Sequence, residues 1–494
     1  MSIYMKYGLQ VLVASRSLVL TGWLLSAAMS QAQVSDVADP VVSQTTVLSL
    51  ATAVHSAQAN DPWLLGNHHA QSAIESMSVA AGSLPDPMVS LSLANLPSDT
   101  ADFGQEGMTQ FKLGIAQMFP RGDSLAIKRR QLQQMGQQYP HQRQDRRAKL
   151  VVAVAQQWLN AYRAQESIAL IEHDWALFAQ LADVAEASYS AALGKTRQQD
   201  FIRAQLELTR LNDRLTMLNQ QRDQALQRLN EWRSRYFVPS ANGALEQPDY
   251  GLESSPAALS LQLDRNLPNI QLLRPELYLG STEPQQLYQY LAEHPAVQGL
   301  EQKIEASRTG IELARQKYKP EWGLSASYGY RDQDPMGNER ADLFSVGVSF
   351  DVPLFTANKQ DREVQSAVSS SEAISTEKWL LLRKMMAAFE TRKAQLLRLE
   401  QRHRLYRQQL LPQMHELAEA SLTAYTHDDG DFAEVVRARI AELNANIDAL
   451  GIDVERQQAR AELNYFFMTK PNQIIAEHVI ASHDGTDALE NHHE

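Results

Sequence analysis

Four short segments of this chain alternate apolar and polar residues with a period of two, and the stretches between them carry the longer period of a helix. Val89, Leu91 and Leu93 share a face against Ser90, Ser92 and Ala94, and Phe111, Leu113 and Ile115 oppose Lys112, Gly114 and Ala116. Further along, Trp322, Leu324, Ala326, Tyr328 and Tyr330 alternate with Gly323, Ser325, Ser327 and Gly329. Phe344, Val346, Val348 and Phe350 then alternate with Ser345, Gly347, Ser349 and Asp351. The pattern predicts strands at about 88–95, 111–118, 322–330 and 343–351, each apolar or aromatic on one face and small or polar on the other. Hydrocarbon on one side and water on the other suits such a strand, and the lengths are near what a tilted strand needs to cross a bilayer. A hairpin half-buried in a soluble core alternates in the same way. Aromatics sit near segment ends, at Trp322, Tyr330, Phe344 and Phe350, where an interfacial girdle belongs. Pro87 and Pro320 precede the first strand of each pair and Pro120 and Pro353 follow the second, as expected where a ladder begins or stops.

Helix is predicted over 44–83, 124–192, 197–236, 284–318, 357–427 and 432–467. Val436, Ile440, Leu443, Ile447, Leu450 and Val454 step by four and three, as do Leu208, Leu211, Leu215 and Leu218, and that seam is the coiled-coil signature. A helix of some 70 residues would run about 105 Å, far beyond domain scale. Pro140 and Pro412 should kink two of these helices, because each removes a ladder bond. Tyr189-Ser-Ala-Ala-Leu-Gly194-Lys195 and Tyr425-Thr-His-Asp-Asp-Gly430-Asp431 read as matching helical hairpins turned at glycine.

The whole arrangement occurs twice. A shift of 233 positions places Pro62 on Pro295, Gly66 on Gly299, Pro87 on Pro320, Phe111 on Phe344, Gly114 on Gly347 and Pro120 on Pro353. A unit that long is no ankyrin-like or tetratricopeptide-like repeat. The first copy is assigned to 33–236 and the second to 284–469, with 237–283 as a linker or equatorial segment and 470–494 as a disordered tail.

Residues 1–32 read as a signal peptide: Lys6 and Arg16 precede the apolar run Leu18–Ala28, and Ser30-Gln-Ala32 fits a cleavage site. After cleavage at Ala32 the lysines and arginines number 44 against 58 acids, a charge of −14 that argues against nucleic acid as a partner. Without cysteine there is no disulfide, thiol nucleophile or lipoprotein anchor, and no apolar run after the signal reaches helix-spanning length. Nucleotide loops, metalloprotease helices and nucleophile elbows are also missing, so the sequence offers no catalytic constellation and no cofactor or metal site. Four strands cannot close a membrane sheet. Free edges in hydrocarbon would leave backbone groups unpaired, so the protomer must share its barrel with copies of itself.

Signal, duplicated helix–strand–strand–helix units and glycine-marked hairpins together resemble the TolC-like outer-membrane efflux proteins, over essentially the whole mature chain. The local text Leu84-Pro-Asp-Pro-Met-Val-Ser-Leu-Ser-Leu-Ala-Asn-Leu-Pro97 and Gly114-Ile-Ala-Gln-Met-Phe-Pro-Arg-Gly122 is similar to the branch that serves heavy-metal resistance pumps. The resemblance implies a mainly α fold with membrane β. Each protomer of a homotrimer would give four strands to a twelve-stranded β-barrel, over a long periplasmic α-helical barrel of coiled-coil helices. Such a protein is a passive duct in the outer membrane of a Gram-negative bacterium and no enzyme. Its partners would be outer-membrane lipid, a periplasmic adaptor and an inner-membrane pump of the resistance-nodulation-division type. Heavy-metal cations would be the cargo, with drug efflux or type I protein secretion as alternatives. A soluble periplasmic coiled-coil scaffold is the competing class.

On that resemblance the apolar face that meets lipid is Val89, Leu91, Leu93, Phe111, Leu113, Ile115, Trp322, Leu324, Tyr328, Phe344, Val346, Val348 and Phe350. Gly194, Lys195 and Gly430 mark the tips that would touch the adaptor. The family's aperture acids fall a few residues past each hairpin glycine, at Asp200-Phe-Ile-Arg203-Ala204 and Glu434-Val-Val-Arg437-Ala438, with arginine where some relatives carry a second acid. Asp200 with Arg203, and Glu434 with Arg437, are three apart and can pair on their helices. Asp428, Asp429 and Asp431 form the densest acid cluster near the tip, which three copies would turn into a cation-attracting ring.

Overall fold

Proline sets where several of the helices begin. In the computed structural model, which describes residues 47–190, 198–233, 262–278, 283–427, 431–469 and 480–481, Pro62, Pro284 and Pro295 each occupy a first-turn position. No ladder bond is lost there, because first-turn N–H groups have no partner within the helix. The stretch 44–83 is therefore two helices, α1 (Leu50–Asn60) and α2 (Pro62–Ala81), separated at Asp61, whose carboxylate accepts from the Trp63 N–H at 3.1 Å. Similarly, 124–192 divides into α3 (Ser124–Gly136) and α4 (Gln138–Ser190). Pro140 falls in the first turn of α4, and the carbonyl four residues back, to which it cannot donate, is that of Gly136, where α3 ends. At 53 residues α4 runs about 80 Å. It is followed by α5 (Gln198–Arg233).

After the short β3 (Asn269–Ile270) come α6 (Pro284–Ala292) and α7 (Pro295–Arg315). The helical path 360–426 is continuous but not uniform: α8 (Gln360–Leu405) passes through a π-helical turn, Tyr406–Leu410, into α9 (Leu411–Thr426). Pro412 explains it. Having no N–H, and a ring that crowds the carbonyl four residues back at Gln408, it forces the ladder to open there. The last helix, α10, spans Phe432–Tyr465.

Four strands, β1 (Met88–Ala94), β2 (Gln110–Phe119), β4 (Trp322–Tyr330) and β5 (Leu343–Phe350), form an antiparallel sheet in the order β1-β2-β4-β5. The flanking helices keep that order, α2 on α3, α3 on α7 and α7 on α8. Farther from the sheet the neighbours are α5 on α4, α4 on α10 and α10 on α9.

Two kinds of core hold the helices. A coiled-coil seam joins α4, α5 and α10 through Ile171, Phe178, Leu211, Leu218, Phe432, Val436, Leu443 and Ile447. Elsewhere segment 262–278 is stitched to α4 and α10. Leu263 bridges Leu48, the Ile270 N–H donates to Gln457 Oε1 at 2.9 Å, and Asn464 both accepts from the Leu273 N–H and donates to the Gln271 carbonyl. Ile480–Ala481 (β6) pair with β3, so this part of the tail expected to be disordered has a partner, as suits its apolar residues. Trp158 is the hub: 1% exposed, stacked on Tyr162 at 5.5 Å, with its indole N–H donating to the Leu48 carbonyl at 3.0 Å. Trp158→Ala is expected to cost about 3–5 kcal/mol, by the cavity and the lost indole hydrogen bond. Limited proteolysis should then cut within 262–278 in the variant and spare the wild type.

Candidate channel surfaces

The sheet sorts its residues by face, with Gln117, in a row with Leu324 and Val348, as the exception on the apolar side. The register aligns Leu91, Leu113, Tyr328 and Phe344 in one cross-strand row, and Val89, Ile115, Ala326 and Val346 in the next. Beyond these lie a row of Leu93, Phe111 and Tyr330 at the hairpin end and one of Phe119, Trp322 and Phe350 at the helix end. Aromatic rings thus edge an aliphatic band at both ends, and Trp322 and Phe350 touch at 5.3 Å between ring centroids. From Trp322 to Tyr330 the strand rises about 27 Å. The face is bare: Val346 is 62% exposed and Phe344 72%. So large a contiguous apolar surface marks contact with lipid or another protein.

The opposite face is built of Ser90, Ser92, Gly114, Gly323, Ser325, Ser327, Gly329, Ser345, Gly347 and Ser349. Serine on one strand fills the space that glycine leaves on the next. A Cβ on Gly114 would stand 2.7 Å from Ser90 Oγ, and one on Gly347 2.9 Å from Ser325 Oγ. Both outer edges of the sheet, on β1 and β5, are unpaired among the described residues.

At the helix end Arg121 ties the sheet's exits together. Its guanidinium donates to the Lys319 carbonyl at 3.0 Å and to the Lys317 carbonyl at 3.3 Å, and it pairs with Asp351. At the hairpin end Arg331 reaches the Gly107 carbonyl at 3.3 Å and Arg340 the Glu106 carbonyl at 3.1 Å, which fastens one loop to the other.

Toward the hairpin tips, Asp431 caps α10 by accepting from the Ala433 N–H at 3.2 Å, and Phe432 packs edge-on against Tyr425. Glu434 and Arg437 both lie exposed, but they do not pair with each other; Arg437 Nε donates to the Ala433 carbonyl at 3.1 Å. The backbone acceptor one turn back is within closer reach than a solvated carboxylate. Arg203 is exposed on α5, while Gly194, Lys195, Asp428, Asp429 and Gly430, the Asp200 side chain and the signal segment lie outside the described residues.

An ion network lies two to three turns above the tip, where the sequence reading placed none. Arg439 donates to Glu419 at 2.6 Å and to Glu442 at 2.9 Å, and His415 Nδ1 lies 2.6 Å from Glu442. Burial, reinforced by Glu442 against the pull of His173 and Arg439, pushes the nearby Asp174 carboxyl up. A second network spans the π-helical turn. Asp453, 8% exposed on α10, meets His403 Nδ1 at 2.6 Å, Arg407 at 2.7 Å and Arg456 at 3.2 Å, and Glu400 holds Arg456 and Arg460. Burial pushes the Asp453 carboxyl up, but the bond from Arg407 and the charges of His403 and Arg407 outweigh it and hold the group below the usual carboxylate range. Partners 46 and 50 residues apart leave no local signature in sequence. Among the described residues no cluster of histidine and acid side chains could hold a metal ion.

Residues 286–465 match the outer membrane efflux protein family. No curated protein matches the sequence. Among solved structures, CusC, which forms a transmembrane channel, is 16% identical with a TM-score of 0.64 over 85% of this chain and 91% of that one. A membrane protein from Pseudomonas aeruginosa is 14% identical with a TM-score of 0.67, over 88% of this chain and 96% of its own. The CmeC outer-membrane channel of Campylobacter jejuni is 13% identical with a TM-score of 0.66, over 85% of each.

Proposed function

We propose that this chain, whose residues 286–465 match the outer membrane efflux protein family and whose fold is similar to those of solved outer-membrane channels, is the trimeric exit duct of a heavy-metal efflux system. In this reading it is the outer-membrane channel of a tripartite pump and carries out no chemistry, and the energy comes from the inner membrane through a periplasmic adaptor. The observation that carries the duct is the sheet: apolar on one face, serine and glycine on the other, and open at both edges. Backbone groups on an open edge within hydrocarbon cost several kcal/mol each, by the ~2–7 kcal/mol of an unpaired buried amide, so the edges must meet other copies. Strand order supports a head-to-tail join. Because β2 pairs with β4 antiparallel, β5 of one copy can receive β1 of the next in the same sense, and three such joins close a barrel.

Heavy-metal cations are the proposed cargo, supported by the likeness of the Leu84–Pro97 and Gly114–Gly122 segments to that branch and by the acids Asp428, Asp429 and Asp431 near the tip. An adaptor would seat on the tips around Gly194, Lys195 and Gly430, and a pump of the resistance-nodulation-division type would supply the export. The protein is expected in the outer-membrane fraction as a detergent-stable trimer, and its deletion should sensitise cells to metal salts more than to drugs. Release by osmotic shock as a monomer would refute the duct; drug sensitivity with normal metal tolerance would refute the cargo.

A further inference from the structure

We propose that Lys112 biases the lumen toward anions at one level of the duct, just below its outer end. The four membrane strands hold one charged residue among them, Lys112 on β2. The register places it opposite Ser92 on β1 and Gly329 on β4, on the serine–glycine face rather than the lipid-type face. It lies one row in from the hairpin end, since Phe111 pairs with Tyr330 at the last position of β4. No carboxylate pairs with it among the described residues, and within the strands it is the one charge, set beneath hairpin loops that carry Asp99, Asp102, Glu106, Asp332, Asp334, Glu339 and Asp342 against Arg331 and Arg340. Its cross-strand neighbours, Ser92 and Gly329, are both small, and the side chain is half-buried on that face. The inference rests on the trimeric duct: three copies then set three ammonium groups around one wet passage, and rings of like charge are how pores bias the sign of what they pass. The ring therefore raises the local share of anions at that level, beneath an acidic rim, either as counter-ions or as anionic complexes of an exported metal.

The chain has no cysteine, which gives a clean test. Ser92→Cys in the full-length protein in intact cells is treated from outside with an anionic (sulfonatoethyl) or a cationic (trimethylammonioethyl) methanethiosulfonate, and the two labelling rates are compared. Adding Lys112→Gln should lower the anion-to-cation rate ratio about fivefold, and Lys112→Glu should lower it further. Ser90→Cys, one row deeper on the same face, gives a second measurement if the first variant does not assemble. Leu91→Cys, on the other face, should react with neither. A ratio unmoved by Lys112→Gln overturns the selectivity while leaving the duct intact. Charged reagents that label Leu91→Cys but neither serine position overturn the placement of the lumen, and with it the duct.

Discussion

Val346→Arg is expected to abolish assembly in the outer membrane, while Ser345→Arg, one residue away, leaves it intact. Val346 sits in the middle row of the sheet with Val89, Ile115 and Ala326, its side chain 62% exposed on the apolar face. If that face meets lipid, the row lies near the bilayer midplane, where an arginine on a barrel costs about 2–4 kcal/mol. Three copies multiply this to roughly 6–12 kcal/mol per trimer, comparable to the whole stability of an ordinary domain. Ser345 points to the serine–glycine face beside Ser327, where water accommodates the charge. Trimer yield in the outer-membrane fraction, read as a heat-dissociable band, separates the two. A Val346→Arg trimer at wild-type level would show that this face is covered by protein rather than lipid.

The strands were legible in sequence for the same reason that makes this prediction sharp. Each strand alternates between two environments that differ as much as environments can, so a period of two survives in Trp322–Tyr330 and Phe344–Phe350 without help from the rest of the fold. The seams of α5 and α10 were readable likewise: Leu211, Leu218, Val436, Leu443 and Ile447 are buried, with Leu208, Leu215 and Ile440 packed around them. Breaks inside helices were not. Proline was visible, but whether it kinks a helix or starts a new one depends on the ladder around it, and Pro62 and Pro140 fall in first turns while Pro412 follows an opened turn. The joining of β2 to β4 is equally absent from any local pattern, since the strands are some 200 residues apart.

Spacing misled most at the tip. Glu434 and Arg437 stand at the distance of a helical ion pair, but both are solvated there and a backbone carbonyl takes the guanidinium. The paired charges lie deeper, where burial makes an unpaired group expensive and so enforces pairing. Lys112 was in plain view as the one charge in an alternating segment, and only the register against Ser92 and Gly329 gave its position a consequence.

The same reasoning makes Asp453→Asn the second large effect. Asp453 faces His403 and Arg407 from the α8–α9 path and Arg456 from its own helix, with Glu400 as the next acid. Removing its charge leaves cations gathered around a neutral amide, and breaking a buried pair in this way costs about 3–5 kcal/mol. The loss should concentrate at the π-helical turn Tyr406–Leu410, where Arg407 is the strut and the ladder is already opened. Amide hydrogen exchange across 406–410 is expected to accelerate about hundredfold, the equivalent of about 3 kcal/mol in local opening, while the seam around Leu443 keeps its protection. The pH dependence follows from the sign of the shift. Because the folded carboxyl titrates below its unfolded value, the stabilisation is complete above the ordinary aspartate pKa of about 4 and is lost as pH falls through the lower, folded value. Wild-type exchange at the turn should therefore rise on the acid side of pH 4 toward that of the variant, which lacks the titrating group. Equal protection in both proteins at neutral pH would mean that helix packing alone, not the Asp453 network, holds α8 and α9 in line.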